Sequence, residues 1–487
     1  MTVKGYAKYL LIMAGLGGLI YGIDVGVCAA AYPYIEKTTN FSEGQLGLIV
    51  GAVLWGSVLS SLFAGTLAEW FGRKKIIIAS ALFFTLSIPV ICISGLPSLF
   101  PDGNFLLMTL GRALQGASAG LVGVVVPMYL AECLDADSRG KGTGMFQLLL
   151  TIGLVFAAVI GLVVTMLVGA ADDMTIKAAS KTTAWQTIFW CSAVPGLILF
   201  FGAFKLKESP RWLYKKGEKE AALDSLAANN GAEKAKEILA EMIAADEADA
   251  AAKAALKANA KGDTLLQRKY IYPFVLAVVI LGCNQATGIN SVLNYSVKIF
   301  QETGLQGAFA NWSDLAIKVV NMVMTIIACT LVDKKGRKFL LKLGTSGIII
   351  GLCGVGATFL AISKGWMAPS MTTGVIATVF FFVFISFYGV GPGVCVWLAL
   401  SELMPTRIRA TGMSIAMIIN QGVSALIATV FPKWVAATSF QTVFFWLAGF
   451  TVIYFIAAAF FLPETKGRTL EEIEKYFTTG KMPEKKA

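Results

Sequence analysis

Four side-chain amides lie within one apolar stretch of the sequence, from about 270 to 300, in the segment C-N-Q-A-T-G-I-N-S-V-L-N-Y. They are Asn284, Gln285, Asn290 and Asn294. An amide without a hydrogen-bond partner is costly in hydrocarbon, so these groups must face protein, water or a polar ligand. Their spacing predicts neighbouring positions on one helix surface, and Gly288 can let the helix bend between them. The segment therefore predicts a polar stripe at membrane depth.

Two opposite charges lie in other apolar stretches, Asp24 in the first and Arg112 in the fourth. A lone charge at this depth is costly, whereas a carboxylate and a guanidinium that meet offset much of each other's desolvation. The chain contains no His, so any proton transfer must use carboxylates. We therefore expect Asp24 and Arg112 to form a pair, which is either a proton-transfer group or purely structural.

The composition indicates an all-α membrane protein. Its helices must therefore position the amides and the two charges. Of 487 residues, 56% are hydrophobic and 15% are charged, which is too apolar for a soluble globule of this size. Apolar runs predict twelve transmembrane helices, at about 7–32, 44–70, 75–97, 105–131, 141–170, 185–206, 271–300, 311–332, 339–362, 371–400, 408–431 and 441–462.

The net charge of +11 alone would be compatible with a nucleic-acid partner, but the basic residues cluster at the ends of the predicted spans. Most Lys and Arg fall on the side of the termini, which predicts that both termini are cytoplasmic. The eight Cys lie in or beside apolar runs and do not indicate a disulfide framework. Without His or a nucleophile-base cluster, the sequence predicts no metal site, no cofactor and no enzyme.

The predicted organisation has four parts. Residues 1–206 and 270–462 each contain six predicted spans, and 207–269 is rich in Ala, Lys and Glu, which predicts cytoplasmic linker helices. In the tail, 463–487, the sequence T-L-E-E at 469–472 forms a capping box that predicts a further helix.

Charged motifs recur in the two six-span halves. Arg73 and Arg337 are 264 residues apart, Glu132 and Glu402 are 270 apart, and Glu208 and Glu464 are 256 apart. This nearly constant spacing indicates an internal duplication, which in transporters places a site near mid-membrane between the halves.

Several of these motifs resemble the sugar porter family of the major facilitator superfamily. They are E-S-P-R-W-L at 208–213, P-E-T-K-G-R at 463–468, N-Q-A-T-G-I-N at 284–290 and the two G-R-K loops. The resemblance extends over essentially the whole chain. It implies two six-helix bundles with alternating access to a sugar site between them, in the cytoplasmic membrane.

The resemblance also assigns roles to residues. In proton-coupled members a first-span aspartate pairs with a fourth-span arginine, which implies that Asp24 carries the proton and Arg112 tunes it. The implied sugar-binding residues are Gln147, Asn284, Gln285, Asn290, Asn294, Tyr295, Asn321, Gly393, Trp397, Asn420 and Gln421. Amides that only join helices are the alternative interpretation.

Some positions depart from the family pattern. Asn284, Asn294 and Gln421 stand where Gln, Tyr and Trp are common, which implies a more polar and roomier pocket. Ser192 stands where xylose/proton symporters, which the chain resembles, carry an additional carboxylate, so a passive uniporter is an alternative.

Lys318 is another departure, because a small residue is usual at its position. We expect its side chain to extend to the outer membrane surface. If instead it points inward, it would favour an anionic sugar.

The resemblance further implies a cytoplasmic gate of charges that pair when that side is shut and separate when it opens. Its members are Glu69, Arg73, Glu132, Arg139, Glu208, Arg211, Asp333, Arg337, Glu402, Arg409 and Glu464. A solvated charge is the alternative for any one of them.

These observations together predict a monosaccharide transporter that acts as a proton symporter. A passive uniporter and a membrane sugar sensor are the alternatives. The expected partners are a small-molecule sugar, a proton and the lipid bilayer, with no nucleic acid, and the expected state is a monomer.

Overall fold

The computed structural model describes residues 3–134, 136–244, 267–405 and 408–465, together with Ile473, Tyr476 and Phe477. Within this part of the chain, all regular secondary structure is helical. Twelve segments are long and apolar enough to cross a membrane. The predicted all-α fold with twelve spans is confirmed, and most span ends differ from the predicted ones by only a few residues.

The first six spans are single helices. They are α1 (Val3–Thr38), α2 (Glu43–Phe71), α3 (Arg73–Ser94), α4 (Phe105–Cys133), α5 (Ala136–Val168) and α6 (Ala178–Ala203). Side chains cap the amino termini of two of these helices: Ser42 and Gln45 form a capping box at α2, and Asn104 caps α4. Helix α1 packs against α5 and α6, while α3 and α2 pack against α4.

Three helices follow in the described part of the linker, namely α7 (Pro210–Lys215), α8 (Lys219–Asn230) and α9, from 232 to 244. Ser209 caps α7 and Pro210 opens it, a position that requires no backbone N–H. Helix α8 contacts α1 and α4, and α7 contacts α4. We call this end of the bundles, where α2 meets α3, the linker side, and the other end the opposite side.

The described part of the second half contains eight α-helices and one π-helical turn. They are α10 (Arg268–Ala286), α11 (Ile289–Glu302), α12 (Ala308–Lys335), α13 (Arg337–Ser363), α14 (Met371–Val390), α15 (Pro392–Leu403), α16 (Arg409–Ala437), α17 (Phe440–Ile456) and the π turn Ala457–Phe461. Two spans are broken. Gly288 divides the seventh span at a φ of +79°, where a side chain would be strained, and Gly391 divides the tenth before Pro392.

Among the described residues, the most extensive contacts between the two halves join α1 with α11, α2 with α16, and α5 with α12. Close approach of α2 and α16 requires glycine, since a Cβ on Gly47 would lie 2.1 Å from the carbonyl oxygen of Thr429. Among the described residues, α4 makes no extensive contact with the second half. The contacts from α1 to α11 close the opposite side.

Candidate functional site

Asp24 and Arg112 contact each other in the interior of the first half. Each side chain is 1% exposed, and Nη1 of Arg112 lies 3.4 Å from Oδ1 of Asp24. The same nitrogen donates to Oε1 of Gln115 at 2.7 Å. Helices α1 and α4 thus bring together the two charges that the sequence predicts to pair.

This pair has few hydrogen bonds for a buried ion pair. Oδ2 of Asp24, Nε and Nη2 of Arg112 and Nε2 of Gln115 are buried without a hydrogen-bond partner. The guanidinium lies 5.9 Å from the ring centroid of Phe189. Nearby, Ser192 is fully buried and donates to the carbonyl oxygen of Phe189 at 2.5 Å. A single long contact therefore joins the two charges.

Amides from three helices form one hydrogen-bonded network in the second half. Asn290 donates to Oε1 of Gln285 at 3.0 Å and to Oγ of Ser424 at 2.7 Å. Gln285 donates to Oδ1 of Asn420 at 3.3 Å, and Asn420 donates to the carbonyl oxygen of Leu281 at 2.9 Å. The network spans the break between α10 and α11 and joins both helices to α16.

The helix break at Gly288 changes the predicted single stripe of amides. Asn284 turns to α14, where its Nδ2 lies 3.5 Å from the hydroxyl of Tyr388 and its Oδ1 is buried without a partner. Asn294 donates to the backbone carbonyl of Asn290 at 2.7 Å. The helix is thus interrupted at Gly288, where the sequence allows a bend, and the amides point in two directions.

Tyr295 lies in the seam between the halves. Its ring stacks on Phe431 at a centroid distance of 5.1 Å and meets the edge of Tyr32 at 5.0 Å. Its hydroxyl donates to the carbonyl oxygen of Ala428 at 2.9 Å. Tyr295 thus connects α11 both to α16 and, across the seam, to α1.

The remaining predicted binding residues are spread over four helices. Gln147 on α5 and Gly393 on α15 are half-buried, Asn321 on α12 is buried, and Gln421 on α16 lies beside Tyr21. Within the described part of the chain, no hydrogen bond joins the side chains of Gln147 or Asn321 to the amide network. The side chain of Trp397 lies outside the described residues.

Lys318 does not extend to the membrane surface, so that expectation is wrong. The side chain is fully buried, and Nζ donates to Oδ2 of Asp314 at 2.8 Å and to the carbonyl oxygen of Gly26 at 3.3 Å. Asp314, one turn earlier on α12, also accepts from Ser296 at 2.5 Å. These partners supply in the protein interior what water would supply at the surface.

On the linker side, carboxylates connect helix ends within the first half. Nε and Nη2 of Arg73 each donate to Glu132 at 2.8 Å, a bidentate pair. Oε1 of Glu208 accepts from the backbone N–H groups of Arg73 at 2.8 Å and Lys74 at 3.0 Å. Ser209 donates to Glu132 at 2.5 Å. Glu208, in the E-S motif, thus caps the amino terminus of α3.

The second half repeats this arrangement. Glu464 accepts from the backbone N–H of Arg337 at 3.2 Å, as Glu208 does from Arg73. Gly72 and Gly336 precede these arginines at φ values of +96° and +88°. A Cβ at either glycine would come within 3.0 Å of the capping carboxylate. The internal duplication thus has a structural counterpart.

Other members of the predicted gate differ in position. The carbonyl oxygen of Glu69 accepts from Nε1 of Trp212 at 2.8 Å, while the side chain of Glu69 is exposed. Arg211 is half-buried on α7. The side chains of four members lie outside the described residues, namely Arg139, Asp333, Glu402 and Arg409.

Several polar groups of the site were not predicted. Gln115 and Ser424 follow Arg112 and Asn420 by one helical turn, and Asp314 precedes Lys318 by one turn, so helical spacing was a usable signal for them. Tyr388 carried no such signal, because its contact with Asn284 depends on how α14 packs against the broken seventh span.

Comparison with known proteins identifies the family. The family model described as "Sugar (and other) transporter" matches residues 10–477. The chain belongs to this family. The predicted resemblance to sugar porters is thereby confirmed, and this sugar transporter is not an enzyme.

Two relatives and one solved structure illustrate the similarity. The glucose transporter GlcP of Staphylococcus epidermidis is 30% identical over 478 residues, covering 96% of each chain. The arabinose-proton symporter of Bacillus subtilis is 27% identical over 473 residues, covering 97% of the sugar transporter and 95% of the relative. The inward open conformation of the xylose transporter XylE from E. coli superposes with a TM-score of 0.79 at 24% identity, over 96% of the sugar transporter and 99% of XylE. That structure supports the major facilitator fold.

Proposed function

We propose that the sugar transporter carries a monosaccharide across the membrane by alternating access, together with a proton. The observation that carries the proton-coupled part is the buried pair of Asp24 and Arg112, joined by one contact of 3.4 Å. A proton on Asp24 removes the charge that attracts Arg112. Because few hydrogen bonds have to break, the pair can separate at low cost, which lowers the barrier to reorientation.

The sugar binds, in this proposal, beside the amide network of α10, α11 and α16. Amides offer both donors and acceptors, which suits hydroxyl groups. Asn284 supports this location, since its buried Oδ1 has no partner and can accept from a hydroxyl. Gln147 and Asn321 contribute from α5 and α12 at the interface of the halves, together with Gln421 and Gly393.

The substrate is a neutral sugar rather than a sugar acid. Lys318 points into the protein, but Asp314 at 2.8 Å neutralises its charge. An acidic substrate would have to compete with this buried carboxylate. The relatives named above are a glucose transporter and an arabinose-proton symporter, which supports hexoses and pentoses as the first candidates.

Transport into proteoliposomes tests the proposal. We expect accumulation of a labelled neutral sugar when the outside is made acidic, and none with the corresponding sugar acids. Asp24→Asn should abolish accumulation but preserve exchange of labelled for unlabelled sugar. Sugar exchange without accumulation in the wild type would refute proton coupling and favour passive uniport.

Passive uniport is the second candidate, and Ser192 is the observation that favours it. Ser192 donates to a backbone carbonyl and supplies no carboxylate near Arg112. In a uniporter, Asp24→Asn would leave the rate of sugar equilibration unchanged. Sugar binding without any flux would instead support a membrane sensor.

We also propose a monomer in the cytoplasmic membrane with both termini in the cytoplasm. The excess of Lys and Arg on the linker side supports this orientation. In it, the pair of Arg73 with Glu132 and the contact of the Arg337 backbone N–H with Glu464 lie on the cytoplasmic side, each within one half, where the predicted gate residues are located. A carboxy-terminal green fluorescent protein should fluoresce, whereas a phosphatase fusion at the same place should be inactive.

A further inference from the structure

Lys318 and Asp314 form an ion pair in the membrane-spanning region in which every charged atom has at least one hydrogen-bond partner. Their side chains are 0% and 1% exposed. Lys318 donates to Oδ2 of Asp314 at 2.8 Å, and Ser296 donates to Oδ1 at 2.5 Å. A buried pair is tolerated when such hydrogen bonds offset its desolvation. The pair therefore fixes the position of the Lys318 ammonium group on α12.

The ammonium group also crosses the seam between the two halves. Nζ of Lys318 donates to the carbonyl oxygen of Gly26 on α1 at 3.3 Å. A helical carbonyl has a second lone pair available after its bond within the helix, so it can accept this donor. The contact has to break whenever α12 and α1 separate. By contrast, the pair of Lys298 with Glu36, which also joins the halves, is 24% and 17% exposed.

The position of Gly26 along α1 gives this contact its importance. Gly26 lies two residues beyond Asp24, about 3 Å along the helix axis, whereas Glu36 lies about 15 Å beyond Gly26. Tyr32, which meets Tyr295 across the seam, lies between them. The Lys318 contact is thus at the deep end of the closed seam, at nearly the same level along α1 as the candidate proton-binding carboxylate, which faces α4 instead.

We propose that Lys318 is a positioning residue of the transport cycle, held by Asp314, which fixes α12 against α1 and favours the state closed on the opposite side. When the opposite side opens, Lys318 releases the Gly26 carbonyl and keeps its bond to Asp314. The seam between α1 and α12 then separates at the level of Asp24. This inference rests on the proposed alternation between two states of the sugar transporter.

Hydrogen–deuterium exchange of the full-length protein in lipid nanodiscs, without sugar, tests this proposal. The main variant is Asp314→Asn/Lys318→Met, which removes the bond to Gly26 without leaving a buried charge unpaired. The matched control is Lys181→Met. Lys181 is also buried and donates to a backbone carbonyl, that of Ala171 at 2.7 Å, but within the first half.

Loss of one hydrogen bond should change the equilibrium constant between the states closed and open on the opposite side about threefold to tenfold, in favour of the open state. We expect faster exchange in peptides covering 26–38 and 289–302 on the opposite side. Peptides covering 203–216 on the linker side should exchange more slowly. Opposite changes on the two sides indicate a shift between states, which a general loss of stability would not produce.

Three results would overturn the proposal: unchanged exchange in the double variant, faster exchange on both sides, or the same pattern in Lys181→Met. Sugar uptake by wild-type proteoliposomes is measured separately. Absent uptake would refute the proposed function, while the exchange pattern would still report whether Lys318 holds α12 against α1. The two failures are therefore distinguishable.

Discussion

Among the described residues, each half of the sugar transporter has one ion pair in which both side chains are at most 1% exposed, and these two pairs differ in how many hydrogen bonds they make. Asp24 and Arg112 share one contact of 3.4 Å and leave three of their own polar atoms without partners. Asp314 and Lys318 share a contact of 2.8 Å, and Ser296 and Gly26 provide further bonds.

This difference shows that burial alone does not define the role of a charged pair. Desolvation costs several kcal/mol per ion, and hydrogen bonds as well as attraction must offset that cost. The pair in the first half is poorly compensated and therefore easy to separate. The pair in the second half is well compensated, which suits a group that has to stay in place while its surroundings move.

Arg112→Met should have the largest effect and would test the first pair directly. The substitution leaves the buried carboxylate of Asp24 without its cation, at a cost of about 3–5 kcal/mol. We expect gradient-driven sugar accumulation in proteoliposomes to be lost entirely. Arg112→Lys, the control that preserves the charge, should retain part of it. Accumulation by Arg112→Met at the wild-type level would mean that the pair has no part in coupling.

Two double-mutant cycles would measure the coupling energy of each buried ion pair and so compare the two pairs directly. Asp314→Asn or Lys318→Met alone should destabilise the protein by about 3–5 kcal/mol, and the double variant should recover much of this loss. The corresponding cycle with Asp24→Asn and Arg112→Met should give a smaller coupling energy, because a single long contact is removed. Thermal unfolding in detergent provides the measurement. Equal coupling energies in the two cycles would contradict the proposed difference.

The features that follow from hydropathy and local spacing could be predicted from the sequence. Apolar runs located the spans, and the need to pair buried charges predicted the contact of Asp24 with Arg112. Gly288 was singled out as a point where the helix can bend, and the structure interrupts the helix there at a φ of +79°.

What could not be predicted depends on contacts between distant helices. The buried position of Lys318 requires Asp314, Ser296 and the carbonyl of Gly26 together. Hydropathy alone favours the surface for a lone lysine, and the i, i+4 spacing to Asp314 was present but not decisive. The direction of Asn284 likewise depends on the helix break and on the packing of α14.

Glycine substitutions on the linker side would test whether the duplicated glycine and capping carboxylate stabilise both halves equally. Gly72→Ala and Gly336→Ala each place a side chain at positive φ and against a capping carboxylate. We expect each to destabilise the protein by about 1–3 kcal/mol, to a similar extent in both halves. Gly65→Ala, on α2 with open space around it, serves as the control and should be neutral or slightly stabilising. A large effect in one half alone would mean that the duplicated motif has lost its role in the other.

Two amide substitutions should produce the smallest changes and extend the comparison from charges to the proposed sugar site. Asn290 donates to Gln285 and Ser424, whereas Asn294 donates to a single backbone carbonyl. Asn290→Ala should raise the KM for sugar about tenfold, since it removes two hydrogen bonds and loosens the network around Gln285. Asn294→Ala should raise it about threefold. Counterflow in proteoliposomes, which does not depend on the proton gradient, separates this binding effect from coupling. An unchanged KM in Asn290→Ala would mean that the network joins helices and does not bind sugar.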